Sequence, residues 1–566
     1  MHHGSARDAS ARSDREVEWQ FDALDVRPVE RWLRPPAAPG NLSEGADVRP
    51  GQTRTLVDLY VDSDDWRFHR AGYSLRLRRQ GRAVEATLKS IAPATGGLRD
   101  RLEVSETVGS FDLEALRSAG GEVGGLVRSM AGSRPLRPVL HVRTRRRTYG
   151  VDVRGAAAAE LALDQTSMTP GDGQEPVRLR RVEVELKGGA AAELQPFVRA
   201  MSRECGLRPA ELSKFEAGLM ALGLGPPPPR DLGPSEIGAT SSTGEVAFAL
   251  LRRHFAAFEA KEPGTRLGED PEELHDMRVA TRRLRAAIKL FEDILPVRVV
   301  RAREEFRWVA RALGQVRDLD VQLQQLEAWI GEAGQEDREP LSVMRSLLRE
   351  ERERHRLSLF EMLDSRRYER LVEGFAALLR HGPLRTSAAS RVPAVAAAPE
   401  LVRSRYRKLR KAARRVGEEA SPEDFHRLRI RGKRMRYALE SVSELYVDGS
   451  KPLIRRLEGL QDVLGLLQDA RVAVDRLRRL AATEGLPPTT IFAMGEVAER
   501  YAHRAEALER RAPKAYGKAR GKRWRKFRRL MEQARVDAAW RERPTMLRPV
   551  ANPVDGPVAP PSAGPA

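Results

Sequence analysis

Two pairs of glutamates, each separated by a single residue, have the chemistry of a metal-binding site. They are Glu16 with Glu18 and Glu183 with Glu185. Residues i and i+2 of a β-strand project from the same face, so each pair presents two carboxylates side by side. Hard divalent cations prefer oxygen ligands of this kind. The spacing therefore predicts a carboxylate site for a divalent cation.

Basic side chains occupy the same alternating positions in other short runs of the N-terminal half. We predict that they share one charged face with the glutamates and with Asp164, and the set is Arg76, Arg78, Lys89, Arg101, Arg143, Arg145 and Lys187. Such cations bind phosphate oxygens, and arginine does so in a bidentate way. A metal beside a cationic clamp suits the attack of water on a phosphoanhydride, where catalysis depends mostly on positioning and charge stabilisation.

These residues must be positioned by strands. Apolar and polar residues alternate with period two in the runs 16–21, 74–78, 101–104, 160–164 and 182–187, as in half-buried strands. For any single strand, a solvent-exposed charged face is the simplest interpretation. The repetition over at least five strands favours an antiparallel barrel with the charges in its lumen and helices packed outside.

A second group of charged residues repeats at long range. The spacing i, i+3, i+7, i+10 from a histidine occurs twice, 151 residues apart, and so does a Leu-Gly…Asp motif at 313–318 and 464–469. On a helix this spacing places the side chains on one face, so two copies of one helical unit each carry a cationic stripe. The stripes consist of His275, Arg278, Arg282 and Arg285, and of His426, Arg429, Lys433 and Arg436.

Several interpretations of the basic residues remain open. A lone histidine is more often structural than functional, but two in equivalent repeats favour a binding site for a polyanion. No His or Cys lies at zinc-binding spacing around them. Two acid-free basic runs, 403–415 and 514–529, are either solvated faces or polyanion sites. Trp524 and Phe527 in the second run leave stacking on single-stranded nucleic acid open.

Length and composition indicate a soluble protein of more than one domain with a polyanionic partner. The chain has 566 residues, 100 Lys and Arg against 80 Asp and Glu, and a pI near 10.4. Single cores rarely grow beyond about 250–300 residues, so more than one domain is expected. One cysteine, no secretory leader and no long apolar run predict a cytoplasmic protein with no membrane contact.

Composition divides the chain into a strand-rich region at 15–222, a Pro/Gly-rich linker at 223–242, a helical region at 243–540 and a Pro-rich tail at 541–566. The repeats of the helical region cover about 243–390 and 395–540. The linker and tail lack the apolar residues needed to order themselves. The expected fold class is multidomain α+β: an antiparallel barrel with helices, then an all-α domain of two repeated bundles.

The first region resembles the CYTH family, the triphosphate tunnel metalloenzymes. The resemblance is carried by the opening Glu-x-Glu, by the segments 71–78, 87–89, 101–103 and 160–164, by the second Glu-x-Glu at 183–185, and by Ser213-Lys214. It implies an eight-stranded tunnel that binds triphosphate with Mg²⁺ or Mn²⁺ and, in many members, hydrolyses it. It also adds Lys214 to the candidate phosphate-binding residues.

One position departs from this family. The CYTH pattern opens with Glu-x-Glu-x-Lys, whereas position 20 of this chain is Gln. An amide can donate hydrogen bonds but lacks the charge that a lysine sets against phosphate. Lys89, Lys187 and Lys214 are the candidate substitutes. Weakened turnover and a tunnel that only binds are both compatible with the change.

The second region resembles a CHAD domain, on the evidence of the two histidine-headed stripes and of Arg317-Asp318 and Gln468-Asp469 in equivalent positions. The resemblance implies two similar helical bundles whose histidines face a basic groove that binds inorganic polyphosphate. The stripes by themselves indicate only a polyanion.

Together these features predict an inorganic triphosphatase that hydrolyses triphosphate or polyphosphate ends in the tunnel while the helical domain binds the polymer. A metal-activated water would be the nucleophile, and the carboxylate that orients it is left open. One alternative is a non-catalytic polyphosphate-granule protein with an impaired tunnel. Another is a nucleic-acid-binding protein. The expected location is the cytoplasm, with polyphosphate granules as a candidate site there, and the oligomeric state is left open.

Overall fold

A computed structural model describes residues 12–34, 46–153, 156–171, 174–383, 387–417, 419–446, 449–482 and 485–541. The Pro-rich tail predicted at 541–566 lies outside the described residues except for Arg541. No described helix is long and apolar enough to cross a membrane.

The N-terminal region is a closed antiparallel β-barrel, as predicted. Its strands are β1 (Arg12–Asp22), β2 (Ala46–Ser63), β3 (Tyr73–Gln80), β4 (Ala83–Ser90), β5 (Leu98–Thr107), β6 (Leu136–Val153), β7 (Ala156–Thr169) and β8 (Val177–Leu186), with a short β9 (Arg208–Pro209). The order is β5-β4-β3-β2-β6-β7-β8-β1, and pairing of β1 with β5 closes the barrel. β9 adds to β1 at the edge. Closure leaves the eight main strands without a free edge.

Six helices accompany the barrel: α1 (Arg27–Trp32), α2 (Arg67–Arg70), α3 (Leu113–Ser118), α4 (Glu122–Ala131), α5 (Ala191–Glu204) and α6 (Lys214–Ala221). Along β1, Glu16, Glu18 and Gln20 line the lumen, while Trp19 and Phe21 are buried against α1 and α5. A second apolar layer lies between β3–β5 and the helices α3 and α4. The apolar core of the domain is therefore mostly outside the barrel, which leaves the lumen to charged residues.

Helix α6 covers one end of the lumen. Ser213 begins it with a capping box to Glu216, which places Lys214 at the first helical position. Phe215 stacks on Tyr60 at 4.8 Å between ring centroids, and a small apolar cluster joins both to Val142 of β6. At this end the lumen is apolar rather than charged.

The linker contains no helix or strand between 223 and 242 but is ordered by packing. Leu232 is buried in the core of the helical domain. The Nε atom of Arg252 donates to the carbonyl of Leu232 at 2.6 Å, and its Nη1 atom donates to that of Pro234 at 2.6 Å. The segment's packing contacts thus come from the helical domain, because its own composition could not supply them.

The C-terminal region is helical. It consists of α7 (Thr243–Ala260), α8 (Glu262–Leu267), α9 (Pro271–Leu290), α10 (Val297–Glu332), α11 (Gln335–Leu363), α12 (Arg366–His381), α13 (Ala388–Arg391), α14 (Ala394–Ala413), α15 (Pro422–Val442), α16 (Lys451–Ala481), α17 (Pro488–Ala519) and α18 (Lys522–Arg541). A shift of 151 residues carries α7, α9, α10, α11 and α12 onto α14, α15, α16, α17 and α18 to within a few residues at their starts. The two bundles are thus structural repeats, and one continuous core joins them.

The two domains are docked through buried polar groups. Arg266 of α8 is fully buried, and its guanidinium contacts Glu262 and Asp364 at 2.9 Å each. Arg67 of the barrel domain lies next to the same two carboxylates at 4.0 and 3.9 Å. Leu267 packs into the apolar layer of the barrel domain. Charges buried this deeply require partners, so each domain completes the other at this surface.

Candidate functional site

The barrel lumen contains a cavity of about 700 Å³. All four glutamates of the candidate metal site line it, and so do six of the candidate phosphate-binding residues: Arg76, Arg78, Lys89, Arg101, Lys187 and Lys214. Side chains from all eight main strands and from α6 meet here. Residues almost 200 positions apart in sequence thus share one polar chamber.

Arg143 and Arg145 do not line this cavity, and sequence reasoning placed them wrongly. Both are exposed on the outside of β6, whereas Arg146 lies in the cavity. The prediction assumed that apolar residues of a strand face outward. That assumption fails at this end of the barrel, because Val142 points inward onto the apolar residues of α6. The same alternation then turns Arg146 inward.

On the β1 side of the lumen, cations and carboxylates pair with one another. Lys89 contacts Glu16, and it also contacts Glu103 at 3.0 Å. Arg101 contacts Glu18, and its Nε atom donates to Glu16 at 3.1 Å. Burial would raise the pKa of Glu103, but Lys89 and then Arg76 outweigh it and lower that pKa to about 2. Glu103 therefore stays ionised and holds these cations in place.

The opposite side has a second network around Asp164. Arg146 donates two hydrogen bonds to the Asp164 carboxylate, at 2.8 and 2.7 Å, and also contacts Glu183. The Nζ atom of Lys214 lies 2.6 Å from Asp164 and 3.3 Å from Glu183. Although burial opposes it, Lys214 and then Arg146 hold the pKa of Glu183 well below its usual value.

Asp58 and Arg146 were not among the site residues predicted from the sequence. Asp58, fully buried, accepts two hydrogen bonds from Arg78 at 2.7 and 2.8 Å. Arg146 was missed because the sequence analysis assigned the wrong residues of β6 to the lumen. Asp58 follows Val57 and precedes Leu59, so the period-two pattern of β2 was the signal that could have located it.

One donor of the cavity lacks a partner. The Nε atom of Arg76 is buried and has no hydrogen-bond partner among the described residues, while its Nη2 atom donates to Thr87 at 3.3 Å. Buried donors are normally satisfied. An anion in the cavity would supply the missing acceptor.

The carboxylates fit a divalent cation in chemistry. Glu18 and Glu185 are directly opposite each other on β1 and β8, so their side chains leave the same face. Burial raises the pKa of both, in part against the pull of Lys89 on Glu18 and of Lys187 on Glu185. A bound cation would offset the free-energy cost of keeping these buried carboxylates ionised. However, the part of the chain that the structure describes has no group of three or more His, Cys, Asp or Glu arranged to hold a metal.

Gln20 is tied into the charged network. Its amide nitrogen donates to Glu18 at 2.9 Å, and its amide oxygen accepts from Arg181 at 3.4 Å. Arg181 is fully buried and also donates to Asp22 at 2.8 Å. A buried arginine therefore contacts the neutral side chain at position 20, and the sequence analysis did not predict this contact.

The two histidine-headed stripes meet in one groove of about 680 Å³ between the helical repeats. It is lined by His275, Arg278 and Arg282 of α9 and by His426, Arg429, Lys433 and Arg436 of α15. Arg285 does not line it, contrary to the prediction. It lies at the end of the stripe, where burial, followed by repulsion from Arg307 of α10, lowers its pKa.

Positive charge in this groove is only partly compensated. Arg278 lies 3.7 Å from Asp318, and Asp469 is the equivalent carboxylate of the second repeat. Burial, followed by repulsion from Arg429 and Arg282, lowers the pKa of Lys433 to about 7. The groove is thus a partly desolvated cluster of cations, an environment that an anionic ligand would stabilise.

The two histidines differ in their contacts. Nδ1 of His426 lies 3.1 Å from the side-chain oxygen of Gln468. Nδ1 of His275 is buried and has no partner among the described residues, and burial lowers the pKa of this histidine. His275 is therefore a neutral donor or acceptor at neutral pH, available to a ligand in the groove.

The aromatic residues of the second basic run are not free to stack on bases. Trp524 is 7% exposed and stacks on Tyr406 of α14 with ring centroids 3.8 Å apart. Phe527 is 1% exposed and packs edge-on against Tyr446. Both rings belong to the core, so these aromatic residues have a structural role and offer no surface for the stacking of bases.

Comparison with known protein families agrees with this architecture. The CYTH domain model matches residues 29–218, and the CHAD domain model matches residues 249–478. This chain contains a CYTH domain followed by a CHAD domain. The CYTH domain corresponds to the barrel and the CHAD domain to most of the helical region, in the predicted order.

Relatives of this chain cover parts of it. An uncharacterized protein of Mycobacterium tuberculosis is 27% identical over 275 residues, and the match covers 44% of this chain and 49% of the relative, about half its length. The crystal structure of a CHAD domain from the plant Ricinus communis is 28% identical, with 49% of this chain and 93% of that chain covered and a TM-score of 0.43. The structure of a putative adenylyl cyclase from Hippeastrum with a dominant triphosphatase activity is 16% identical, with 37% of this chain and 96% of that chain covered and a TM-score of 0.28.

Proposed function

We propose that the CYTH domain is a metal-dependent inorganic triphosphatase acting on triphosphate or on the ends of polyphosphate, and that the CHAD domain binds the polymer. The observation that carries the first part is the lumen itself, where six of the predicted phosphate-binding cations and four glutamates surround one cavity. Arg76 adds a buried donor in need of an acceptor. A triphosphate, which is small and densely charged, fits this combination.

Each charged group of the lumen has a role in this proposal. Lys89, Arg101 and Arg146 now neutralise carboxylates and would transfer part of their contacts to phosphate oxygens. Charge-assisted hydrogen bonds of this type are among the strongest that proteins make. Asp58, which orients Arg78 through two hydrogen bonds, would act as a positioning residue.

Glu16, Glu18, Glu183 and Glu185 would hold Mg²⁺ or Mn²⁺. Such an ion lowers the pKa of bound water and neutralises charge on the phosphate groups. The glutamates themselves keep the site anionic enough to attract the ion. They are also released from their present cation partners when phosphate engages those cations.

A binding-only tunnel is the second candidate, and two observations favour it. Gln20 supplies no charge where the family has lysine, and the described carboxylates are not grouped for metal coordination. In that case the lumen would hold phosphate groups without turnover.

For the CHAD domain, the convergence of both stripes on one groove supports polyphosphate binding. A linear polymer with a regular row of negative charges matches two rows of cations from equivalent helices. Arg278 and Arg429 lie near Asp318 and Asp469, whose carboxylates compensate part of their charge.

Phosphate release from tripolyphosphate by the full chain tests the enzymatic proposal. We expect release with Mg²⁺ or Mn²⁺ and none after chelation with EDTA. Tripolyphosphate binding without release, measured by calorimetry under the same conditions, would replace the enzyme with the binding-only candidate. Absence of both binding and release would rule out a phosphate function for the lumen.

A further inference from the structure

The two acid-free basic runs, more than 100 residues apart in sequence, form one surface. Helix α14 carries the first run, and the end of α17 with the start of α18 carries the second. The stacked rings of Tyr406 and Trp524 join α14 to α18. Arg410 of α14 and Arg520 next to α17 both lie close enough to Tyr516 to affect its pKa. Tertiary packing therefore merges two charge runs into a single patch.

We call this patch the α14–α18 surface. Its cations are the exposed lysines and arginines of residues 407–415 and 514–529. Across the described part of the chain, Arg407 is the one member of this set that forms an ion pair, with Glu400. The remaining charges repel one another, so an anionic partner would stabilise the surface.

The aromatic residues at this surface restrict the class of polyanion. Single-strand binding proteins offer exposed rings on which bases stack. Here Trp524 and Phe527 are buried and Tyr406 is covered by Trp524, so the surface offers charge without a stacking platform. It can therefore contact phosphates but cannot read bases.

The packing of these helices favours a rigid duplex over a flexible chain as the partner of the α14–α18 surface. The cations are carried by packed helices, which fix the spacing of their backbone positions. A duplex likewise holds its phosphates at a fixed spacing, with about one charge per 1.7 Å of axis. A flexible chain would lose conformational entropy on an open face. At about 1.5 Å per residue, the 20-residue α18 is about as long as nine base pairs, taking about 3.4 Å for each.

We infer that the α14–α18 surface binds the phosphate backbone of double-stranded nucleic acid, independently of base sequence and separately from the polyphosphate groove. This site lies outside the cavity and the groove described above. Its residues are not among those that line either of them.

Fluorescence anisotropy of the full chain with 20-base-pair DNA duplexes of two unrelated sequences tests the inference. The surface variant carries Lys408→Gln, Lys411→Gln, Arg523→Gln and Lys526→Gln. The matched control carries Arg298→Gln, Arg301→Gln, Arg366→Gln and Arg370→Gln, four exposed cations on other helices. Both variants lose the same charge, and both should keep the melting temperature of the wild type.

We expect equal affinity for the two duplexes, a loss of roughly tenfold or more in the surface variant, and a salt dependence shallower by about 3–4 in log–log slope if all four contacts are lost. The control should stay within about threefold of the wild type, since charges outside the contact contribute only through screened attraction. A groove variant, Arg282→Gln with Lys433→Gln, should retain duplex binding.

Three results would overturn the inference. Equal losses in the surface and control variants would show diffuse attraction to a basic protein. Loss in the groove variant alone would place the duplex in the groove. Tighter binding of single-stranded DNA, or of vesicles containing phosphatidylserine, would assign the surface to that other partner.

Discussion

Lys433 is a cation whose charge depends on pH near neutrality. It faces Arg429 of its own helix, Arg278 and Arg282 of α9, and Asp469 of α16. Burial and these arginines lower its pKa to about 7, against roughly 10.4 in an unfolded chain. Between these values the unfolded state binds more protons, so this lysine makes folding more stable as pH rises from about 7 to 10. Ligand binding should have the opposite trend.

We predict that long-chain polyphosphate binds the CHAD domain less tightly as pH rises above 7, by up to about tenfold per pH unit, because binding must then protonate Lys433. Titrations at pH 6, 7, 8 and 9 and constant salt would measure this slope. Lys433→Arg, which stays charged, should remove most of it. A slope unchanged in this variant would assign the effect to other groups.

Gln20 lies where the CYTH pattern has lysine, and a substitution there tests whether the missing charge limits phosphate release. Gln20→Lys should raise phosphate release if the lost charge limits turnover, because a charged hydrogen bond contributes roughly 1.5–3 kcal/mol, or about ten- to a hundredfold in rate. Arg181 lies 3.4 Å from the side chain of Gln20. It would repel the new lysine and so reduce the gain in phosphate release. Arg181→Gln in the same background separates the two effects, since it should increase the gain if repulsion is what opposes it.

The glutamate pairs should be required for any hydrolysis. Replacing Glu16 and Glu18, or Glu183 and Glu185, by Gln should abolish metal-dependent phosphate release while leaving the barrel folded, because Gln keeps the shape but not the charge of Glu. Circular dichroism would check folding. Undiminished hydrolysis in both double variants would show that the metal site is elsewhere.

At the scale of elements, α9 and α15 act as a pair because the groove lies between them. Arg282 comes from one helix and Lys433 from the other, and both line the groove. Arg282 is further fixed by its hydrogen bond to Tyr437 at 2.5 Å. Neither helix alone would present the full set of cations.

Arg282→Glu with Lys433→Glu should therefore weaken polyphosphate binding much more than Arg523→Glu with Lys526→Glu, although both variants replace one arginine and one lysine by glutamate. Titrations at two salt concentrations would show it, since released counterions make each lost phosphate contact visible in the salt dependence. Equal losses would mean that diffuse attraction, and not the groove, holds the polymer.

At the scale of the whole molecule, the interface between the domains has a buried ionic centre. Arg266 lies between Glu262 and Asp364, and Tyr368 donates to Glu262 at 2.7 Å. Removing one partner of a buried pair typically costs about 3–5 kcal/mol, because the remaining charge is left uncompensated.

Arg266→Ala should lower the unfolding free energy by about that amount and should separate the unfolding of the two domains. Urea unfolding followed by barrel and helix signals would detect this separation. Arg298→Ala, an exposed position, is the control. A single transition at the wild-type midpoint in the Arg266 variant would show that apolar contacts such as those of Leu267 hold the domains together.

The sequence by itself determined the parts of this protein that depend on local periodicity. Alternation in β1 and β8 placed four glutamates in a barrel lumen, and the 151-residue offset located two helical repeats whose stripes line one groove. These features follow from the period of a strand or helix, which each segment carries in its own residues.

Only the tertiary structure decided which side of an element faces what. α6 fills one end of the lumen with apolar residues, which turns Arg146 inward and leaves Arg143 and Arg145 outside. Arg285 lies outside the set of residues that line the groove. Stacking of Tyr406 on Trp524 joins two distant basic runs and removes the rings from solvent. Each outcome depends on contacts with residues that are distant in the sequence, and the periodicity of a single segment carries no information about those contacts.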